Sequence, residues 1–353
     1  MTLRNLKRHH GKENDRCAAF FAFLPAFCKV SVLFSYLYAV ISILIPTYNF
    51  CPGALVAALA AQAETLARKT ADDFACEILV ADDASTDRDT LRRLHGLSRI
   101  SGCRLIFLQA NTGRAAIRNR LAREAHGEFL LFIDADAEVT DSLFLEKMWA
   151  ERLRADVVCG RVGLPPRPAS PGRELRYAYE LSAESRRPAA VRARRPYAHF
   201  STFCVMMRRR AWQAVGFDER CTEYGYEDVL MGLELQARGV SILHTDHTLV
   251  HCGIDTNAEF LRKTDAAART AARLSSDMPD ISRASRLCSR LGRLYLVGPL
   301  RRLLLPAMPL LRRQLLGRHP RLVLFKLYQL GAYLRALKTP VAHTRAKSAS
   351  AAR

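Results

Sequence analysis

The chain has 353 residues, of which 49% are apolar. That length holds one large domain or two that share a sheet, and the composition excludes global disorder. The formal charge of +20 is lopsided: 16 Lys and Arg and no Asp or Glu lie between Ile281 and Arg353, so 38 of the 54 basic residues face the 34 acidic ones elsewhere. A nearly neutral body with a polycationic tail ties the basicity to the tail's partner and not to the chemistry of the body.

Residues 1–40 form a basic and then hydrophobic N-terminal extension. Met1 to Arg16 is polar, and Ala18 to Val40 is apolar apart from a few breaks such as Pro25 and Lys29. The apolar run has the length of a membrane span or a signal peptide. Arg4, Lys7, Arg8, Lys12 and Arg16 would hold the N-terminus in the cytoplasm, which would place all that follows a single span outside. The next strand begins at Ile41 without a linker. Three readings stay open: an interfacial anchor, a span of unexpected topology, or a non-native upstream extension. The last needs a start at a codon other than Met, since no Met lies between Met1 and Met148.

From Ile41 the pattern is regular. "ISILIP" reads as a buried parallel strand, and Leu55 to Ala67 as an Ala-rich helix. "CEILVADD" is a second strand, and Asp87 to Leu97 a helix capped by Ser85 or Asp87. "CRLIFLQ" is a third strand. Ala115 to His126 is a helix that Gly127 ends, and "EFLLFID" is a fourth strand. Four strands alternating with helices predict a parallel α/β sheet whose ligands bind at the strand C-termini. The segments there are "PTYN", "DDAST", "NTGR" and "DADAE".

The Pro- and Arg-rich stretch from Arg161 to Arg195 reads as loops. "FCVMMRR" resumes a strand, Glu227 to Ala237 is a helix between Gly225 and Gly239, and "VSILH" and "TLVHC" are two short strands. The ten cysteines include no C-x-x-C, the nearest pair being Cys17 and Cys28. That fits neither a zinc pattern nor a compact disulfide framework, and reduced thiols are the simpler reading.

The strand over Phe129–Ile133 runs into Asp134-Ala135-Asp136. In an extended strand alternate side chains point the same way, so both carboxylates are expected to project together. Two like charges held close need a counter-charge. Mg²⁺ or Mn²⁺ supplies one, because these ions share oxygen ligands between one or two carboxylates and a substrate's phosphates. A helix cap or a solvated turn is the bland alternative.

Four motifs decide between them: "ISILIPTYN", "ILVADDASTD", "NTGRAAIRNRLAREAHGEFLLFIDADAEV" and "GFDERCTEYGYEDVLMGLELQARG". In content, order and spacing, the run from Ile41 to about Gly253 resembles the family 2 glycosyltransferases of the GT-A fold. The resemblance implies a Rossmann-like, mostly parallel mixed sheet flanked by helices. Residues 41–150 would be the nucleotide-sugar-binding half, 151–260 the acceptor-binding and catalytic half, and 261–353 a basic amphipathic helical tail.

Residue by residue, the resemblance places Pro46, Tyr48 and Asn49 in a nucleoside pocket, with Asp83 accepting hydrogen bonds from the base. Asp82 or Ser85 reads equally as a cap for the next helix. Asn111, Gly113, Arg114 and Arg118 look like the donor-binding run, with both arginines facing the donor. Asp136 would be the metal ligand, with Asp134 touching ribose or metal-bound water. Asp228 would be the general base, its ionised form favoured by the helix start, with Glu227 placing the acceptor. His251 is a candidate further metal ligand, against competition from His244 and His247, and would lean the site toward Mn²⁺.

The implied reaction is an inverting transfer from a nucleoside-diphosphate sugar to a hydroxyl of a glycan or lipid-linked acceptor, in bacterial surface polysaccharide or glycolipid assembly. The alternatives are a sugar nucleotidyltransferase, a nucleic-acid- or membrane-binding protein without catalysis, and a processive polysaccharide synthase. "PTYNFCPG" lacks the Gly-rich signature of the first, and no Q-x-x-R-W motif supports the last. Leu-rich basic segments such as "RRLLLPAMPLLRRQLLG" suit an anionic membrane surface better than nucleic acid. Pro299, Pro306 and Pro309 are expected to break the tail into short pieces lying on the cytoplasmic face of the inner membrane. A tail that packs on the body is the plain alternative.

Overall fold

The structure, a computed structural model, describes residues 39–70, 74–167, 170–182, 187–221 and 224–337. The expected anchor within residues 1–40 lies outside the described residues except for its last two.

The first half follows the expected alternation. Strand β1 (Ala39–Thr47) leads through helix α1 (Gly53–Lys69) to β2 (Phe74–Asp82), then through α2 (Arg88–His95) to β3 (Cys103–Phe107). Helix α3 (Arg114–Glu124) carries the chain back to β4 (Phe129–Ile133). The β-branched and aromatic runs form the strands, and the Asp87 carboxylate caps α2 by accepting from the Thr90 amide at 2.8 Å. Asp82 and Ser85, the other cap candidates, bond each other instead.

The second half mixes directions. It contains β5 (Ala137–Glu138), α4 (Phe144–Ala150), β6 (Val157–Gly163), α5 (Glu174–Leu181), α6 (Ala189–Arg192), β7 (Cys204–Arg208), α7 (Arg209–Val215), α8 (Glu227–Ala237) and β8 (Ile242–His251). The eight strands form one sheet in the order β3-β2-β1-β4-β7-β6-β8-β5. β1 to β4 are mutually parallel, β7 is antiparallel to β4 and β6, β8 is parallel to β6, and β5 is antiparallel to β8. The strand order reverses between β1 and β4, the place where such sheets open a crevice beyond their C-terminal ends.

Alternation along the strands fills two layers. Ile41, Ile43, Ile45, Phe129, Leu131 and Ile133 pack under α1 and α4. Leu44, Leu130 and Phe132 pack on the opposite face with residues of α3, α7 and α8.

Several expectations change. The stretch from Arg161 to Arg195, read as loops, holds the end of β6 and the helices α5 and α6, because Val162 and Leu175 bury apolar surface that Pro and Arg mask in the sequence. "VSILH" and "TLVHC" are one strand, β8, which accommodates an irregularity opposite Cys159 and Arg161.

The tail also differs. Past α9 (Asn257–Leu274) and α10 (Arg283–Gly292), α11 (Val297–Leu315) runs through Pro299, Pro306 and Pro309 without a break. Pro299 sits in the first turn, where the missing N–H costs nothing. The other two each remove a helical donor, and tertiary packing carries the helix past them. Leu304, Met308, Leu311 and Leu315 are buried with Phe325, Tyr328 and Leu334 of α12 (Leu322–Ala336) and with Phe260 and Leu261 of α9. Each such fully buried side chain contributes about 2 kcal/mol. The described tail is therefore docked on the body.

Helix α8 is held close. A Cβ added at Gly232 would stand 2.5 Å from the Tyr197 carbonyl oxygen. Gly232→Ala should therefore lower stability by about 1–3 kcal/mol despite alanine's better helix propensity. A urea midpoint equal to or above that of the wild type would show that the turn at Tyr197 yields.

Candidate functional site

A polar cavity of about 170 Å³ opens where β4, β6 and β8 end; its lining includes Arg114, Asp134, Asp136, Asp228 and His251 from the sequence-derived set. A wide hollow of about 500 Å³ on the other side of α5 holds none of those residues.

The strand alternation predicted for the two aspartates does not hold. β4 ends at Ile133, and a turn closed by the Ala137 amide on the Asp134 carbonyl at 3.1 Å carries Asp134 to Asp136. Each carboxylate finds its own counter-charge. Asp134 accepts from Arg118 at 2.6 Å, and Asp136 Oδ2 lies 3.1 Å from His251 Nε2. The second contact comes from register, since Ala137 of β5 pairs with His251 of β8 and the Cys252 amide donates to the Asp136 carbonyl at 3.0 Å. Gly253 leaves the room: a Cβ there would fall 2.0 Å from Asp136 Oδ2. Burial works against ionised Asp136, but the hydrogen bond and charge of His251 and the charge of Arg114 bring it below the usual carboxylate value. Burial likewise opposes charge on His251, yet Asp136 and Glu180 hold it above the usual imidazole value.

The other two histidines are occupied elsewhere. His244 bonds Arg192 at 2.8 Å and the Pro196 carbonyl at 3.0 Å, and burial pushes it down to about 4. His247 faces Glu151 at 3.7 Å. Of the three, His251 alone lines the cavity.

Glu227 and Asp228 open α8 after Tyr226, whose φ of 74° turns the chain into the helix. Glu227 is buried, with Arg114 and Arg118 at 3.6 and 3.9 Å. Asp228 points into the cavity and accepts from Thr202 Oγ1 at 2.7 Å. Burial and the neighbouring charge of Glu227 push Asp228 up to about 6, against the opposing pull of Arg118 and Thr202.

The two arginines of α3 part ways. Arg114 lies over the Tyr224 ring at 4.8 Å and lines the cavity. Arg118 is only 2% exposed and sits beneath Asp134, so it does not share Arg114's place in the cavity lining.

The remaining sequence-derived residues tie loops together. Asp83 accepts from the Thr112 and Gly113 amides at 2.7 and 2.9 Å, and Asn111 donates to the Asp83 carbonyl at 3.1 Å. Asn49 accepts from the Thr86 amide at 2.8 Å and donates its own amide to Ser85 at 2.7 Å. Tyr48 is half exposed and Pro46 partly buried at the end of β1.

Sequence reasoning missed Thr202, Arg176, Glu180, Tyr224, Asp255 and Lys263, all in the cavity wall. Glu180 Oε1 stands 3.7 Å from His251 Nδ1, and Lys263 pairs with Asp255 at 2.7 Å. The apolar spacing of "ELRYAYEL" was the available signal for α5.

The residues fit a divalent ion. Adjacent ligands of an octahedral ion at about 2.1 Å stand about 3 Å apart, close to the Asp136–His251 separation. Among the described residues no group of three or more His, Cys, Asp or Glu is placed to hold a metal.

Because its folded value is raised, Asp228 costs the fold nothing while protonated and costs progressively more as pH rises from about 4 through about 6. Asp228→Asn should be more stable than wild type near neutral pH, by on the order of 1–2 kcal/mol, with the gap closing below about pH 4. Denaturant melts across this range check it; a gap independent of pH would remove the ionisation as its cause.

Residues 42–216 match the model of Glycosyl transferase family 2. The O-antigen biosynthesis protein RfbC of Myxococcus xanthus is 30% identical over 159 residues, which cover 38% of this chain and only 12% of that protein's length. Among solved structures, S. aureus TarS in complex with UDP-GlcNAc aligns over 84% of this chain and 90% of its own, at 17% identity and a TM-score of 0.44. The mannosyltransferase PcManGT from Pyrobaculum calidifontis, in complex with GDP-Man and Mn²⁺, aligns over 84% and 85%, at 15% identity and a TM-score of 0.44. The family match runs from β1 through α7, taking in the crevice strands and the Asp134–Asp136 turn. Over these 175 of its 353 residues the chain is similar to glycosyl transferase family 2, and its eight strands form one mixed sheet.

Proposed function

We propose that this protein is an inverting glycosyltransferase that moves a sugar from a nucleoside-diphosphate donor to an acceptor hydroxyl. The observation that carries the reading is the convergence of a carboxylate–imidazole pair, Asp136 and His251, and a carboxylate raised to about 6, Asp228, on one cavity. Asp228 and His251 both lie beyond the stretch that matches the family.

The donor's nucleoside lies along the ends of β1 and β2 near Pro46, Tyr48, Asn49 and Asp83, with Asn111 and Gly113 shaping the adjoining loop. Asp134, fixed by Arg118, faces the ribose. Asp136 and His251 would hold Mg²⁺ or Mn²⁺, which supplies positive charge against the departing diphosphate. Arg114 lends a fixed cation to the same end of the cavity. Glu227, pinned by both arginines, sets the start of α8 and the acceptor's place. Asp228 takes the proton from the acceptor hydroxyl, whose oxygen attacks the anomeric carbon opposite the leaving diphosphate. The carbon–oxygen bond to the diphosphate breaks as the new glycosidic bond forms, and the configuration inverts. A base near 6 is ionised at neutral pH yet basic enough to accept that proton. The RfbC similarity supports a place in surface polysaccharide or glycolipid assembly, with a glycan or lipid-linked acceptor.

Thermal stabilisation by UDP, GDP, dTDP and CMP, each with and without Mn²⁺, identifies the nucleotide. Asp136→Ala should abolish the metal-dependent part of that stabilisation and leave the fold intact, since the carboxylate lies outside the apolar core. Metal-dependent binding that survives in this variant would sink the assignment. Asp228→Asn should keep donor affinity and lose turnover by roughly a hundredfold or more. Near-normal turnover would leave Asp228 as a helix-start carboxylate only.

A further inference from the structure

The docked tail leaves one face open, and its chemistry points outward. After α10 the chain turns through Leu294, Tyr295 and Leu296, and Tyr295 is 91% exposed at a φ of 56°. Leu303 and Leu310 continue from Leu296 at intervals of seven residues, two turns each, so the three form a stripe along α11. These two leucines are 77% and 70% exposed, while Leu304, Met308, Leu311 and Leu315 fill the inner side. Arg302 and Arg313, eleven residues apart and both exposed, make a second row about a quarter turn around the helix. Arg290 and Arg293 lead into the Leu-Tyr-Leu tip, and no acidic residue occurs anywhere after Asp280.

We propose that the 294–296 tip and the outer face of α11 form a docking surface for an anionic lipid bilayer. The apolar stripe parallels the helix axis, so the helix lies along the membrane plane with Leu and Tyr at the acyl boundary and Arg among the headgroups. Charge complementarity selects this occupant. Two copies meeting on this face would oppose arginine to arginine with no carboxylate between them, and a nucleic acid would leave the leucine stripe unused. Among the described residues no helix is long and apolar enough to cross a membrane. This surface differs from a tail spread flat as fragments, because the inner side of α11 is held by the protein. The inference does not depend on the reaction proposed above. It adds a place for that reaction: a surface on which lipid-linked acceptors reside.

The test compares full-length chains, so that residues 1–38 are the same in every arm. Wild type, a variant with Leu294→Ser, Tyr295→Ser, Leu303→Ser and Leu310→Ser, and a variant with Arg302→Glu and Arg313→Glu are sedimented with phosphatidylcholine vesicles with and without phosphatidylglycerol. Wild type should favour the anionic vesicles, and high salt should weaken the binding. Both variants should bind them roughly tenfold or more weakly while keeping the wild-type melting midpoint. Equal binding by all three chains, binding that ignores lipid charge, or no wild-type binding would each overturn the proposal. A concentration-dependent dimer that the serine variant alone loses would give the face to a second copy. Tighter retention by duplex DNA than by anionic vesicles would give it to nucleic acid.

Discussion

The pairing of Ala137 with His251 is the contact on which the site depends. A two-residue strand at the far edge of the sheet is a weak element by itself. It joins the turn after β4 to the end of β8, and in doing so it brings together Asp136 and His251, which are 115 residues apart in sequence. Gly253 secures the junction, because any side chain there would occupy the space of the Asp136 carboxylate. The cavity where β4, β6 and β8 end is thereby given a wall of ionisable groups.

Those groups are held in unequal states by a few fixed charges. Arg118, buried beneath the cavity, reaches toward both Asp134 and Glu227. It pairs with both carboxylates, while burial and the neighbouring charge of Glu227 raise the proton affinity of Asp228, which accepts from the Thr202 hydroxyl. Packing like charges together in low dielectric is unfavourable for the fold and useful for proton transfer. Tyr226 and Ala84, both at positive φ in the loops that carry the site, add backbone strain of the same kind. The parallel sheet and its two apolar layers supply the stability that such a site spends.

The C-terminal helices make the same trade at the surface. Their inner faces close a third core with α5, α8 and α9, while their outer faces keep leucine, tyrosine and arginine in the open. Two prolines inside α11 are tolerated because burial of four alternating side chains outweighs two lost hydrogen bonds. Helices α5, α8 and α9 are thus braced by the segment that carries most of the protein's excess charge.

The sequence by itself determined the first four strands and their helices, since buried parallel strands write unbroken β-branched runs and helices write a 3.6-residue period. It also determined that Asp134, Asp136, Glu227 and Asp228 stand at element ends, and four motifs in register marked the family. Tertiary structure decided what those carboxylates meet. No local pattern tells that Arg118 points down to Asp134 while Arg114, one turn earlier, points into the cavity, because both lie on the same helical face in sequence. The choice of His251 over His244 and His247 followed from strand register, and a shift of one residue would have turned it to the other face of the sheet. Thr202, Glu180 and Arg176 were hidden because they reach the site from segments whose own sequence reads as loop, and Thr202 and Glu180 meet Asp228 and His251 tens of residues away. Whether the tail spread or packed was likewise undecidable locally: the same leucines serve a membrane or a core, and only the presence of Phe260 and Leu261 opposite them settled which face turned inward.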